Sequence, residues 1–270
     1  MSKVLVIGGA GYIGAHICQS LVDNGYSVRI FDDFSNGLHR RIEGKFTDLV
    51  EASVLDRSVL ISAMDGIDSV IHLAAKKAVE ESVSNPLKYY EHNVGGTLNI
   101  LAAMAVKKVK KIVFSSTAAV YAPSEKSAID ETDLLAPLSP YGATKVMAEE
   151  LIKSVGVAEG FSTISLRYFN VVGSTKVEFA DNSKDNLVLV EFSKNKFAIV
   201  ISRKEGTFLI GRLITSLKAS AVLNISSISF FVKSLIPITW STLKLSIIFL
   251  GKKYYFIFSF YFLPFHRNSF

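Results

Sequence analysis

In Lys3-Val4-Leu5-Val6-Ile7-Gly8-Gly9-Ala10-Gly11-Tyr12-Ile13-Gly14 a short apolar run gives way to glycines spaced three apart. The pattern reads as a buried strand, a tight turn and the start of a helix. Gly8 lets the backbone turn sharply, Gly11 leaves no Cβ in the path of a pyrophosphate, and Gly14 lets the new helix lie close to its strand. The N–H groups at that helix N-terminus then face an anion. Glycines at this spacing also punctuate ordinary turns, so the motif gains its meaning from what surrounds it.

The surroundings agree with it. Ile13, Ile17, Leu21 and Val22 form one stripe of a helix from about Tyr12 to Asn24, and Gly25 stops it. A second strand, Ser27 to Phe31, runs into Asp32, 18 residues after Gly14. That is where a dinucleotide fold places the carboxylate that accepts hydrogen bonds from the adenosine ribose. A carboxylate suits a free 2′-hydroxyl and repels a 2′-phosphate, so NAD is expected rather than NADP. Arg40 and Arg41 read as solvated loop charges.

Phe46 to Val50 reads as a third strand, Val54 to Met64 as a helix, and Ser69 to Leu73 as a fourth strand opening into Ala74-Ala75-Lys76-Lys77. Pro86 begins a long helix to about Val106 that carries Asn93, and Lys111 to Ser115 is a fifth strand leading into Ser116-Thr117. Strands alternating with helices require a parallel sheet covered on both faces, with ligands at the strands' carboxyl ends. The expected fold is an α/β doubly wound sheet of Rossmann type.

Ser139-Pro140-Tyr141-Gly142-Ala143-Thr144-Lys145 places a proline at a helix start and then a Tyr and a Lys four residues apart on one face. A free phenol is protonated at neutral pH. An ammonium beside it and a positively charged nicotinamide above it both favour the phenolate, which makes it a usable general base.

Together these motifs resemble the extended short-chain dehydrogenase/reductase superfamily and, in detail, its UDP-glucose 4-epimerase family. The resemblance is carried by Val70-Ile71-His72-Leu73-Ala74-Ala75-Lys76-Lys77-Ala78-Val79, Pro86-Leu87-Lys88-Tyr89-Tyr90 with Asn93, and Phe114-Ser115-Ser116-Thr117 with Val120-Tyr121. It continues through Ser139-Pro140-Tyr141-Gly142 with Lys145 and Leu166-Arg167-Tyr168-Phe169-Asn170, over about the first 175 residues.

The resemblance implies NAD as cofactor and a UDP-hexose as substrate, epimerised at C4 between UDP-galactose and UDP-glucose through a 4-keto intermediate. It puts Tyr12 and Ile13 on the NAD diphosphate, and Asp32, Asp33, Phe34, Ser35, Asn36 and Gly37 around the adenosine ribose. Ser53, Val54, Leu73, Ala74, Ala75, Lys77, Asn93 and Ser115 line the cofactor groove, and Phe169 lies near the nicotinamide. Thr117 bonds the sugar 4-hydroxyl, Tyr141 takes its proton, Lys145 holds the nicotinamide ribose, and Asn170, Asn186 and Leu187 meet the sugar nucleotide.

Related dehydratases carry an Asp-Glu pair after the Thr, because eliminating water needs an acid and a base. Here the pair is Ala118-Ala119, so dehydration is not the expected reaction. Two other departures stand out: Glu51-Ala52-Ser53-Val54 replaces the family's Gly-Asp after the third strand, with weaker cofactor binding expected, and Val171 replaces a proline after Asn170. A homodimer packed through helices around 86–106 and 140–155 is also implied.

Residues 1–175 are thus expected to form the cofactor domain with the catalytic residues, 176–190 the start of a substrate lobe, and 191–270 an unmatched tail. The net charge of +6 belongs to that tail: residues 1–180 hold 18 Lys+Arg and 20 Asp+Glu, while 181–270 hold 12 and 4. Nucleic acid is therefore not an expected partner. From Gly206 to Phe270 there is no Asp or Glu, and the family's segment for the uridine diphosphate is absent. Three readings of the tail stand open: a shifted frame or misassigned end in an AT-rich gene, a membrane-attached tail, or a divergent lobe. Ser241 to Leu250 and Tyr254 to Phe265 are shorter than the ~20 residues of a spanning helix. Rivals to the epimerase are another NAD-dependent nucleotide-sugar epimerase or reductase, and a truncated, inactive dinucleotide-binding chain. The single Cys18 and the lack of a signal peptide lead to an expected cytoplasmic location.

Overall fold

The computed structural model describes residues 1–44, 46, 48–124, 128–169, 171, 174 and 177–181, together with the backbone of strands at 188–193, 196–203, 206–209, 245–251 and 254–260. Six strands form one parallel sheet: β1 (Lys3–Ile7), β2 (Ser27–Asp32), β3 (Leu49–Glu51), β4 (Ser69–His72), β5 (Lys111–Ser115) and β6 (Ser162–Leu166). Their order across the sheet is β3-β2-β1-β4-β5-β6. The order reverses between β1 and β4, and an open α/β sheet has its crevice at such a point. The expected α/β fold of Rossmann type is the observed one.

Burial explains why β1 is apolar from Val4 to Ile7. Val4 and Val6 point into a cluster with Ile17, Cys18, Leu21, Val28, Ile30 and Ile71, beneath α1 (Tyr12–Asp23). Leu5 and Ile7 point the other way, toward Leu60, Met64, Ile100, Leu101, Met104, Phe114 and Ile152. These come largely from α2 (Arg57–Ala63), α5 (Gly96–Lys107) and α6 (Pro140–Glu159). A strand covered on both faces has no polar side to show.

Local chemistry sets the helix ends. Asp56 caps α2 by accepting from Val59 N–H at 3.2 Å, and Ser139 caps α6 by accepting from Gly142 N–H at 3.2 Å. Pro140 occupies the first turn of α6, and Gly160 ends it at φ +67°.

Four features depart from the sequence expectation. The third strand lies at Leu49–Glu51 rather than from Phe46. A helix α3 (Val79–Ser84) and strand β6, neither expected, complete the unit. The helix from Pro86 is also interrupted: α4 (Pro86–Tyr89) passes through a π-turn at Tyr90–Gly95 before α5. A π-turn inserts an extra residue and re-aims the side chains it carries.

Beyond the sheet, β7 (Val188–Ser193), β8 (Lys196–Arg203) and β9 (Gly206–Leu209) pair antiparallel, as do β10 (Leu245–Gly251) and β11 (Tyr254–Phe260). Among the described residues no helix is long and apolar enough to cross a membrane.

The glycine turn makes the fold testable. Gly8 has φ +87°, and a Cβ there would lie 2.7 Å from Ala74 N; a Cβ at Gly14 would lie 2.1 Å from Gly8 O. Both obstacles are backbone, so Gly14→Ala should destabilise by about 3 kcal/mol, the upper range for forced overpacking. Gly95, whose Cβ would meet nothing nearer than 4.0 Å, provides the contrast. Gly95→Ala should be neutral or stabilise by up to about 1 kcal/mol. Urea denaturation of both variants measures the difference, and equal stability would contradict the close packing.

Candidate active site

The carboxyl ends of β1, β2, β4 and β5 open into a cavity of about 570 Å³. Gly8, Gly11, Tyr12, Ile13, Gly14, Asp32, Asp33, Ser35, Asn36, Gly37, Val54, Leu73, Ala74, Ala75, Lys77 and Ser115, all named from the sequence as candidate cofactor residues, line it. Gly11 is the N-cap of α1 with no side-chain cap, so the first-turn N–H groups are left for an anion.

Asp32 is 7 % exposed and accepts from Ala10 N–H (2.9 Å) through one oxygen and Phe34 N–H (2.9 Å) through the other. Burial holds its carboxyl above the ordinary range, although both hydrogen bonds oppose this. Asp32 thus ties the glycine turn to the loop after β2 and still reaches the cavity. Asp33 accepts from Ser35 N–H and Oγ, and Lys76 Nζ donates to Ser35 Oγ at 2.9 Å.

Three anticipated cofactor residues take supporting positions instead. Phe34 (φ +53°) is not among the cavity-lining residues and stacks on His39 at 3.8 Å. Ser53 turns its hydroxyl to accept from Leu55 N–H at 3.2 Å, so Ala52 and Val54 line the wall in its place. Asn93 is 2 % exposed; its amide oxygen accepts from Lys76 N–H at 2.8 Å, and its amide nitrogen donates to Lys76 O and Thr144 Oγ1, each at 3.0 Å. The π-turn aims Asn93 at the loop after β4, which it fastens to α6. Phe169 is 40 % exposed and does not line the cavity, and Asn170, Asn186 and Leu187 lie outside the described residues.

Arg41 corrects the expectation of a solvated charge. Only 3 % exposed, it donates to Ala10 O (3.4 Å) and Ala180 O (2.8 Å), and it lines the cavity. Its Nε is buried without a hydrogen-bond partner. The sequence shows a pair of arginines in a loop, and only the turn His39–Arg41 folding under Ala10 separates the buried one from the exposed one.

Thr117, Tyr141 and Lys145 are not among the cavity-lining residues; the Thr117 side chain lies beside the Tyr141 phenol, and Tyr141 lies near Tyr168, which does line the cavity. Thr117 Oγ1 accepts from Ala119 N–H at 3.2 Å, capping the turn at Ala118–Val120. Burial pushes the Tyr141 phenol up, and the neighbouring Thr117 side chain opposes it. The acidified phenol expected from the sequence is thus not produced by this chain's own groups, since desolvation outweighs them.

Lys145, 3 % exposed, donates to Ser115 O at 2.9 Å and lies over the Phe114 ring at 4.7 Å. Burial lowers its pKa to about 7, and Glu149 works against the shift. Tyr168, whose role the sequence left open, lines the cavity and bonds its hydroxyl to Ser115 Oγ; burial raises it to about 12. Beneath them His72 is held at about 3 by burial and by Lys145. Thr97 donates its proton to Asn93 O at 2.6 Å, so His72 Nε2 is the donor in the 3.1 Å His72–Thr97 bond and the ring is neutral.

Residues 4–201 match the model of the NAD dependent epimerase/dehydratase family. The chain belongs to this family. Among curated relatives it is 45 % identical to the UDP-glucose 4-epimerase of Bacillus subtilis over 180 residues, which cover 63 % of this chain and 53 % of that protein. Among solved structures it resembles the UDP-glucose 4-epimerase of Brucella ovis in complex with NAD, with TM-score 0.61, 38 % identity and 63 % and 52 % of the two chains covered. It also resembles the Stenotrophomonas maltophila enzyme with bound NAD and formylated UDP-arabinopyranose, with TM-score 0.64, 36 % identity and 69 % and 60 % covered. The chain spans about half the length of the curated relatives it matches.

A pH test follows from Lys145. Its ordinary pKa is 10.5 and its folded value about 7, so between these the unfolded chain holds a proton that the folded chain has released. Stability should therefore rise with pH across that window, the burial penalty being fully present below it. Denaturant unfolding of Lys145→Met should lack this rise, and parallel profiles for the two proteins would contradict the buried ammonium.

Proposed function

We propose that this chain epimerises a UDP-hexose at C4, interconverting UDP-galactose and UDP-glucose, with NAD held in the cavity at the β1–β4 crevice. The observation that carries the reading is the cavity that runs from the glycine turn to Ser115, whose carbonyl holds Lys145 and whose hydroxyl meets Tyr168. The groove fits a dinucleotide. Its volume is that of a small-ligand site, its floor excludes any Cβ at Gly8 and Gly14, and the uncapped N-terminus of α1 and the buried Arg41 present positive charge to a diphosphate.

In this reading residues 1–175 are the cofactor domain and residues 176–190 begin the substrate lobe. Tyr12 and Ile13 border the diphosphate, and Asp32, with Asp33, Ser35, Asn36 and Gly37, borders the adenosine ribose. The carboxylate favours the free 2′-hydroxyl of NAD. NAD held there would supply the hydride acceptor and donor for the change at C4 of the sugar.

The chain's own groups handle the proton. Thr117 orients the 4-hydroxyl, Tyr141 takes its proton as the 4-keto sugar forms and gives it back afterwards, and Lys145, held by Ser115 O, stabilises the phenolate. Burial keeps water from competing for these bonds. The turn Ala118–Val120 beside Thr117 carries no carboxylate, which favours epimerisation over dehydration.

The purified full chain should carry NAD and form UDP-glucose when given UDP-galactose. Tyr141→Phe should lower turnover by at least about a hundredfold, the scale of general acid–base catalysis, while NAD stays bound. Undiminished turnover would remove Tyr141 from its role, and bound NAD without any conversion would leave a dinucleotide-binding protein.

A further inference from the structure

Next to the proposed reacting groups, on the face of α6 that meets the ends of β5 and β6, lies a buried polar network in which the mechanism above has no part. Glu149, one helical turn after Lys145, is 7 % exposed. It accepts from the hydroxyl of Ser116, the residue that follows β5. It also pairs with Arg167, which follows β6 and is likewise 7 % exposed: Nε approaches the two carboxylate oxygens at 3.0 and 3.1 Å, and Nη2 approaches Oε2 at 2.5 Å. Arg167 spends its third nitrogen on Tyr121 Oη (3.1 Å) and Glu131 O (3.2 Å), and it lies over the Tyr121 ring at 5.1 Å.

The residues tied down are neighbours of the working ones. Ser116 sits between Ser115, whose carbonyl holds Lys145, and Thr117, whose side chain lies beside Tyr141. Arg167 precedes Tyr168, which bonds to Ser115. A carboxylate buried in a protein interior is costly unless every lone pair is used, and here one carboxylate joins three elements at the point where their side chains must converge.

We propose that Glu149 is a positioning residue: bonded to Ser116 and Arg167, it locks the turn of α6 that carries Tyr141 and Lys145 to the ends of β5 and β6 and sets a negative charge behind the Lys145 ammonium. The inference rests on the reading of Tyr141 and Lys145 as the proton-handling pair. The groups facing Glu149 are Lys145 on its own helix, Ser116 from β5, Arg167 from β6 and, beyond Arg167, Tyr121 with Glu131. Lys145 in turn faces Glu149 and, from β4, the neutral His72. Burial drives Lys145 toward loss of its proton and Glu149 opposes this, so removing the carboxylate releases the proton more readily.

Glu149→Gln alone strands the Arg167 guanidinium and is expected to lose stability. The informative protein is therefore Glu149→Met with Arg167→Met, which removes both charges at similar volume, a type of change that buried ion pairs often tolerate. Lys145 is followed in the full-length, lysine-labelled chain by nitrogen NMR, its signal identified by loss in Lys145→Met. In the folded double variant its proton affinity should fall about tenfold. The turnover number for UDP-galactose at neutral pH should fall with it, while KM stays within about twofold. A folded double variant with the Lys145 titration and turnover of the wild type would overturn the proposal, because a purely structural pair leaves both unmoved. The titration is read without substrate. A wild-type chain that does not turn over therefore defeats the epimerase reading, whereas an unmoved Lys145 signal defeats the role of Glu149.

Discussion

The structure depends on a place where three backbone segments pass closer than any Cβ would permit. Gly8 sits 2.7 Å, by its absent Cβ, from Ala74 N, and Gly14 sits 2.1 Å from Gly8 O. These contacts press the start of α1 and the end of β4 against the end of β1, at the position where the strand order reverses. Everything on the cavity wall inherits its place from them. Asp32 reaches back to Ala10 N–H, Leu73 and Ala74 both donate to Ile7 O, and Arg41 folds under Ala10 O.

The ends of β5 and β6 are organised by buried polarity. Lys145, Glu149 and Arg167 are each less than a tenth exposed, a state that charged groups reach only when hydrogen-bonded. Each is satisfied by atoms from another element, so the charges act as cross-links between helix and strand ends. Burial also tunes this region: it lowers Lys145 to about 7, within reach of neutral pH, and raises Tyr168 to about 12, which keeps its phenol protonated.

Family membership rests on residues 4–201, and the matched relatives extend to about twice the matched length. The six-stranded sheet and the residues around its crevice lie within that match. The acid-free stretch from Gly206 includes β9 and the pair β10–β11.

Much of this was legible in the sequence because it is local. Apolar runs ending at Gly8, Asp32, Leu73 and Ser115, the glycine spacing and the Pro140 helix start depend on backbone sterics and short-range periodicity, and they gave the sheet, the crevice and most of its lining. Where local signals were weak, they failed. The three-residue strand β3, the short α3 and the half-exposed β6 offer too few periodic positions, and a π-turn inside an otherwise helical pattern leaves none. The identity of a polar residue also does not say where its charge goes. Arg41 and Arg40 are alike in sequence, but tertiary packing buries one and exposes the other. Asn93 looks like a cavity residue until Lys76 and Thr144 are seen to use its amide. Glu149 and Arg167, 18 positions apart, meet only because α6 runs back along β5 and β6. The sequence by itself determined which residues could form a strand, a turn or a proton-handling pair. Tertiary structure alone decided which charges are withdrawn from water and against what, because desolvation depends on every element that closes over a group.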